Sequence, residues 1–174
     1  IDAEIYVFSE EESKRFVCAV MREKDIRVKT ALLILIYLGL RKGELCGLTW
    51  GNVDLYKGII HVAQQLKEKS GEGLALGKLK TKESKADLPL SPMLAGVLAE
   101  YRQWWNEHKA MYGDAWRGGW ECLFINDDGT PLNPSTINEW LDKLTERNGL
   151  PHVTVHSIRH LCATLLIRAN ADPK

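Results

Sequence analysis

Four side chains in this sequence have the types and spacing to act on a phosphodiester. Arg41 lies in the run Gly39-Leu40-Arg41-Lys42-Gly43-Glu44, Lys80 in a lysine-rich stretch, and His156 and Arg159 in His156-Ser157-Ile158-Arg159-His160. Each guanidinium is a planar fork of N–H donors that matches the non-bridging oxygens of a phosphate. On a helix, residues i and i+3 sit roughly 60° apart around the axis, so His156 and Arg159 address one ligand from the same side. An ammonium and an imidazole add groups able to donate or accept a proton near neutral pH. The sequence has no aspartate cluster suited to a metal pair. Positive side chains must therefore carry the transition-state charge, which points to metal-free phosphoryl transfer with no cofactor. His156 and His160 have the i, i+4 spacing of zinc ligands, but no glutamate lies between them and no third ligand is evident, so no metal is expected.

Hydrophobic periodicity and capping signals indicate the elements that must hold these groups. Ser9 followed by Glu12 predicts a helix start, with an apolar face of Phe16, Val17, Ala19 and Val20 running through about Met21. A second helix is expected across Val28 to Leu38, ending near Gly39, with Arg41 directly after that stop. Gly43 to Trp50 reads as a short helix or turn, and Asn52 to Lys57 as a loop feeding a strand at Ile59 to Val62. Leu66 to Gly77, rich in Lys, Glu and Gly, reads as a mobile loop, after which Lys78 to Lys82 and Lys85 to Leu90 are expected to pair as a hairpin carrying Lys80. Leu94, Val97, Leu98, Tyr101 and Trp105 recur at helical spacing; an irregular connection over Tyr112 to Trp120 then leads to a short strand at Leu123-Phe124-Ile125 and a turn at Asp127-Asp128-Gly129. Pro134 opens a helix striped by Ile137, Trp140, Leu141 and Leu144 and closed at Asn148-Gly149; the last helix is expected from about Thr154 to Ala169. The fold class is mainly α with a small antiparallel β-sheet, an α+β domain spanning residues 1–174. The Arg41 turn, the Lys80 hairpin and the His156–Arg159 helix are expected to converge on one phosphate.

The 174 residues carry 23 Lys+Arg against 23 Asp+Glu, so no global charge announces a polyanion partner. Charge is nonetheless uneven: residues 57–85 hold seven lysines and three glutamates, a net of +4, so contact with a polyanion should be local. The longest apolar run, Ala31 to Leu40, is about half a membrane span, and the first residues, Ile-Asp-Ala-Glu, do not form an export signal. A cytoplasmic protein without membrane contact is the expectation. Cys18, Cys46, Cys122 and Cys162 form no C-x-x-C pair and read as buried free thiols.

Three segments together resemble the tyrosine recombinases of the phage-integrase type: Tyr37 through Trp50, Leu79 through Leu90, and His156 through Thr164. The resemblance runs from Ser9 to the last residue. It implies that Arg41 and Arg159 bind the scissile phosphate, with Glu44 a structural companion of Arg41. Lys80, or Lys82 in an alternative register, is implied to protonate the departing 5′ hydroxyl. His156 is implied to be a proton acceptor or a phosphate donor, and His160 to be structural. The implied reaction is site-specific recombination of double-stranded DNA for a phage or mobile element through a 3′-phosphotyrosyl intermediate. It would be carried out by a homotetramer on two DNA sites with accessory DNA-bending proteins, at the nucleoid of a bacterial host. A type IB topoisomerase and a non-catalytic DNA-binding relative are the alternatives. The family nucleophile is a tyrosine several helical turns beyond the second arginine. Tyr6, Tyr37, Tyr56, Tyr101 and Tyr112 all precede His156, so the chain is expected to be a piece of the catalytic domain, without the N-terminal DNA-clamping domain and inactive alone in strand cleavage.

Overall fold

The computed structural model describes residues 5–79 and 85–171. The chain divides into two compact units, one of Ile1–Arg41 with Ser135–Lys174 and one of Lys42–Pro134.

The first unit is helical. Helix α1, Glu10–Met21, starts at the expected cap: the Glu12 amide donates to Ser9 Oγ at 3.1 Å, and the Ser9 amide donates to Glu12 Oε1 at 2.9 Å. The Tyr6 hydroxyl donates to the same carboxylate at 2.8 Å. The Ser9 amide, and after it the Tyr6 hydroxyl, hold the Glu12 carboxyl below the usual glutamate range. Helix α2, Ile26–Leu38, is capped by Asp25, two residues before the sequence pattern places it. Its residues from Ala31 to Ile36 are all fully buried. Such an all-round apolar helix forms the middle of a core: α1 and α6 (Val155–Ala171) pack against it, and α5 (Ser135–Arg147) packs against α1. From α1 come Phe16, Ala19 and Val20; from α5, Ile137, Leu141 and Leu144; from α6, Val155, Ile158, Leu161 and Cys162. Trp140 is half-buried at the edge of its stripe.

The second unit holds the strands. Helix α3, Lys42–Cys46, packs on β3, Gln64–Lys69. Gly47, just past α3, permits this: a Cβ there would lie 2.9 Å from the Gln65 Cα. Strands β1 (Val53–Asp54), β2 (Ile59–Val62) and β5 (Ala86–Pro89) form an antiparallel sheet in the order β1-β2-β5. His61 stands opposite Asp87 in that ladder, with Nδ1 and Oδ1 2.5 Å apart. Helix α4, Pro92–Tyr112, has Ser91 as its cap and a proline in its first turn. It buries Leu94, Leu98, Tyr101 and Trp105, and the last two bond the following segment: the Tyr101 hydroxyl donates to the Leu123 carbonyl at 2.5 Å and Trp105 Nε1 to the Cys122 carbonyl at 3.1 Å.

The structure corrects four expectations. Leu66 to Gly77 is not a mobile loop: β3 pairs with β4, Gly73–Lys78, as a separate two-stranded hairpin, because Leu66 is buried while the charged residues beside it face solvent. Of the hairpin expected between 78–82 and 85–90, the described part pairs otherwise: β5 joins β2, and Lys78 pairs with Gln64. Lys80 and Lys82 lie outside the described residues. Leu123 to Ile125 is buried but forms no strand, meeting the rest through the isolated bridges Thr49↔Cys122 and Ile125↔Pro131. Cys18 is exposed, whereas Cys46, Cys122 and Cys162 are buried as expected. No helix among the described residues is long and apolar enough to cross a membrane.

Candidate functional site

The turn that carries Arg41 is shaped by the end of α2. Gly39 is the C-cap, with φ 66 and ψ 29, and its amide donates to the Leu35 carbonyl at 3.0 Å. This left-handed conformation reverses the chain, seats Leu40 in the core and releases Arg41 to the surface. A glycine stop followed two residues later by an exposed arginine is thus a direct product of α2 ending where it does.

Helix α6 closes on that turn from the other end of the unit. Its first turn is fastened by the Ile158 amide donating to the Thr154 carbonyl at 3.3 Å, with Ser157 Oγ accepting from the Thr154 amide at 3.4 Å. Val155, Ser157, Ile158, Leu161 and Cys162 point inward, which leaves His156 and His160 exposed and Arg159 half-buried between the two environments. Arg159 Nε donates to the Gly39 carbonyl at 3.0 Å, across 120 positions of sequence. One turn along, Cys162 presses on the same glycine: a Cβ at Gly39 would stand 3.2 Å from Cys162 Sγ. Burial pushes the Cys162 thiol upward, an effect partly countered by the Arg159 charge.

Arg159 and the Arg41 turn are therefore held together within one unit, with His156 on the same helix three residues before Arg159. The Nε bond ties the Arg159 guanidinium to the turn, and among the described residues its terminal amino groups make no hydrogen bond. Glu44 is buried in α3. Lys80 falls outside the described residues. The sequence marks Cys162 as a buried thiol, but nothing local in it signals that the sulfur lies against Gly39. It also marks Gly39 as a helix stop without showing that its carbonyl anchors Arg159.

A model of the phage integrase family matches residues 7–174. Among curated proteins, a XerC-like tyrosine recombinase of Caldanaerobacter subterraneus is 31% identical over 100% of this chain and 46% of its own length. The transposase of transposon Tn916 from Enterococcus faecalis is 25% identical over 97% of the chain and 42% of its own length. The chain thus spans less than half the length of these curated relatives. Among solved structures, the Tn1549 transposon integrase in complex with transposon right end DNA superposes with a TM-score of 0.79 at 22% identity, over 99% of this chain and 56% of that one. The XerA recombinase gives a TM-score of 0.71 at 24% identity, over 99% of this chain and 53% of that one.

Proposed function

This chain belongs to the phage integrase family, and on that premise we propose that residues 1–174 are catalytic-domain sequence of a tyrosine-type site-specific DNA recombinase. The substrate is double-stranded DNA, and the complete protein breaks and rejoins it to integrate or excise a mobile element. The observation that carries the reading is the bond from Arg159 to the Gly39 carbonyl, which ties the His156–Arg159 helix to the turn bearing Arg41.

In this reading Arg41 and Arg159 bind the non-bridging oxygens of one scissile phosphate. Their charge is worth more against the pentacoordinate transition state than against the ground state, so the pair lowers the barrier as well as binding. A tyrosine oxygen of the complete protein attacks phosphorus, the bond to the 5′ oxygen breaks, and Lys80 gives the leaving oxygen its proton. His156 accepts the tyrosine proton or donates a hydrogen bond to the phosphate. The phosphotyrosyl bond keeps the energy of the phosphodiester, so rejoining needs no cofactor. The complete enzyme works as a tetramer on two DNA sites, aided by accessory DNA-bending proteins, at the bacterial nucleoid.

Binding of a fluorescent duplex by the chain, followed by anisotropy at low salt, tests the pocket. Arg41→Ala and Arg159→Ala each remove a charge-assisted contact and should weaken binding by about tenfold or more. Unchanged affinity in both variants, with folding verified by circular dichroism, overturns the assignment.

A further inference from the structure

We infer that the free edge of β4 is a self-pairing surface, and that its partner is the same edge of a second copy of this chain. The β3–β4 hairpin is a two-stranded sheet, and among the described residues nothing pairs with the far side of β4. Leu79 donates its amide to the Ala63 carbonyl, continuing the β3–β4 register by one residue. In an antiparallel ladder the bonding groups alternate in direction. Gly77, Ala75 and Gly73 therefore turn their backbone groups toward β3, while Leu74, Leu76 and Lys78 turn theirs to the open edge.

Exposed edges are ordinarily blunted by charge, proline or a bulge. This one carries neither charge nor proline from Gly73 to Gly77. It reads instead as a charge-inverting palindrome, Glu72-Gly73-Leu74-Ala75-Leu76-Gly77-Lys78, centred on Ala75. A two-fold axis through Ala75 would place Ala75 opposite itself, Leu74 opposite the second copy's Leu76, Gly73 opposite its Gly77, and Glu72 opposite its Lys78. This register also sets outward-facing Leu74 against outward-facing Leu76, as the alternation requires. A one-residue slip would face an outward residue with an inward one, and a two-residue slip would set a charge against a leucine. Glu72 and Lys78 are both exposed, and among the described residues the Glu72 carboxylate has a single 4.0 Å contact, with Lys69, to give up. A C2 contact must be self-complementary, and this edge is so in backbone, size and charge. Four-stranded pairing across such an edge buries little area, which makes the contact a transient one best captured by cross-linking.

Residues opposite each other in a non-hydrogen-bonded antiparallel pair have Cα atoms about 4.5 Å apart, within the range of a disulfide. In a Cys18→Ser background, which leaves only buried native thiols, Ala75→Cys should give a disulfide-linked dimer under copper–phenanthroline oxidation. Gly77→Cys, which faces Gly73 of the second copy and lies far from its own counterpart, should not. Adding Lys78→Glu to the Ala75→Cys protein sets like charges against each other and should slow cross-linking about threefold; adding Glu72→Lys as well should restore it. Both charge sites are exposed, so folding is not at stake. The inference is overturned if Ala75→Cys cross-links no faster than Gly77→Cys, or if Lys78→Glu leaves the rate unchanged.

Discussion

Replacing Gly39 by alanine tests the clamp at the Arg41 turn, and its cost follows from two separate features of that residue. At φ 66 and ψ 29 a side chain costs about 1–2 kcal/mol relative to glycine, because Cβ crowds the following carbonyl. The new methyl would also meet Cys162 Sγ at 3.2 Å, and rotating a buried side chain off its rotamer costs about 0.5–1.5 kcal/mol. The expected total is about 1.5–3.5 kcal/mol, or a fall in Tm of about 3–14 °C for a chain of this size. Urea titration and thermal melts followed by circular dichroism give the value. A cycle with Cys162→Ala separates the two parts: in that background Gly39→Ala should cost only the backbone share, leaving a coupling of about 0.5–1.5 kcal/mol. A neutral Gly39→Ala, or a coupling of zero, would refute the reasoning. Duplex binding should fall with the single substitution, since the turn it deforms is the one that places Arg41.

Three further outcomes follow from the structure. Tyr101→Phe strands the buried Leu123 carbonyl and should destabilise the protein by about 1–3 kcal/mol in urea titration, with Tyr101→Leu worse because the ring also stacks on Phe124. Asp128 is held below the usual aspartate range, chiefly by the Thr130 hydroxyl and then by the Thr130 amide. A depressed carboxyl contributes stability that is present above its ordinary value and lost as pH falls through the lowered one, so Asp128→Asn should lower Tm at neutral pH, leave the acid value nearly unchanged and thereby flatten the decline between them. Burial pushes the Cys46 thiol up to about 12 and the Cys122 thiol up to about 11, so a thiol reagent at neutral pH should label native protein at exposed Cys18 alone, as peptide mapping would report.

The parts of the fold governed by neighbouring residues were legible in the sequence. Ser9 and Glu12 form the capping box their spacing implies, Gly39 ends α2, and the stripes of α4 and α5 are buried where periodicity places them except at Val97 and Trp140, which are half-buried. Pairing between distant segments was not. The hairpin of β3 and β4 looks like a loop because Lys67, Glu68 and Lys69 lie on its exposed part and Leu66 alone marks its inner side. No local signal tells Ala86–Pro89 to choose β2 over the nearer Lys78, since strand partners are selected by packing that only the assembled unit provides. At the candidate site, the residue types of Arg41, His156 and Arg159 announced their chemistry, whereas the roles of the Gly39 carbonyl and the Cys162 sulfur depend on a contact across 120 positions.

That contact also orders events in time. The unit containing the Arg41 turn is discontinuous, built from Ile1–Arg41 and Ser135–Lys174 with Lys42–Pro134 between them. As the ribosome emits the chain, α1 and α2 emerge first with their apolar faces uncovered, and the whole intervening unit is synthesised before α6 arrives to cover them. The turn therefore stays unclamped until Arg159 and Cys162 have left the exit tunnel. A nascent chain or a product terminated before α6 carries Arg41 on an unclamped turn, and the machinery for engaging a phosphate comes into being only once the whole intervening unit and α6 have been made.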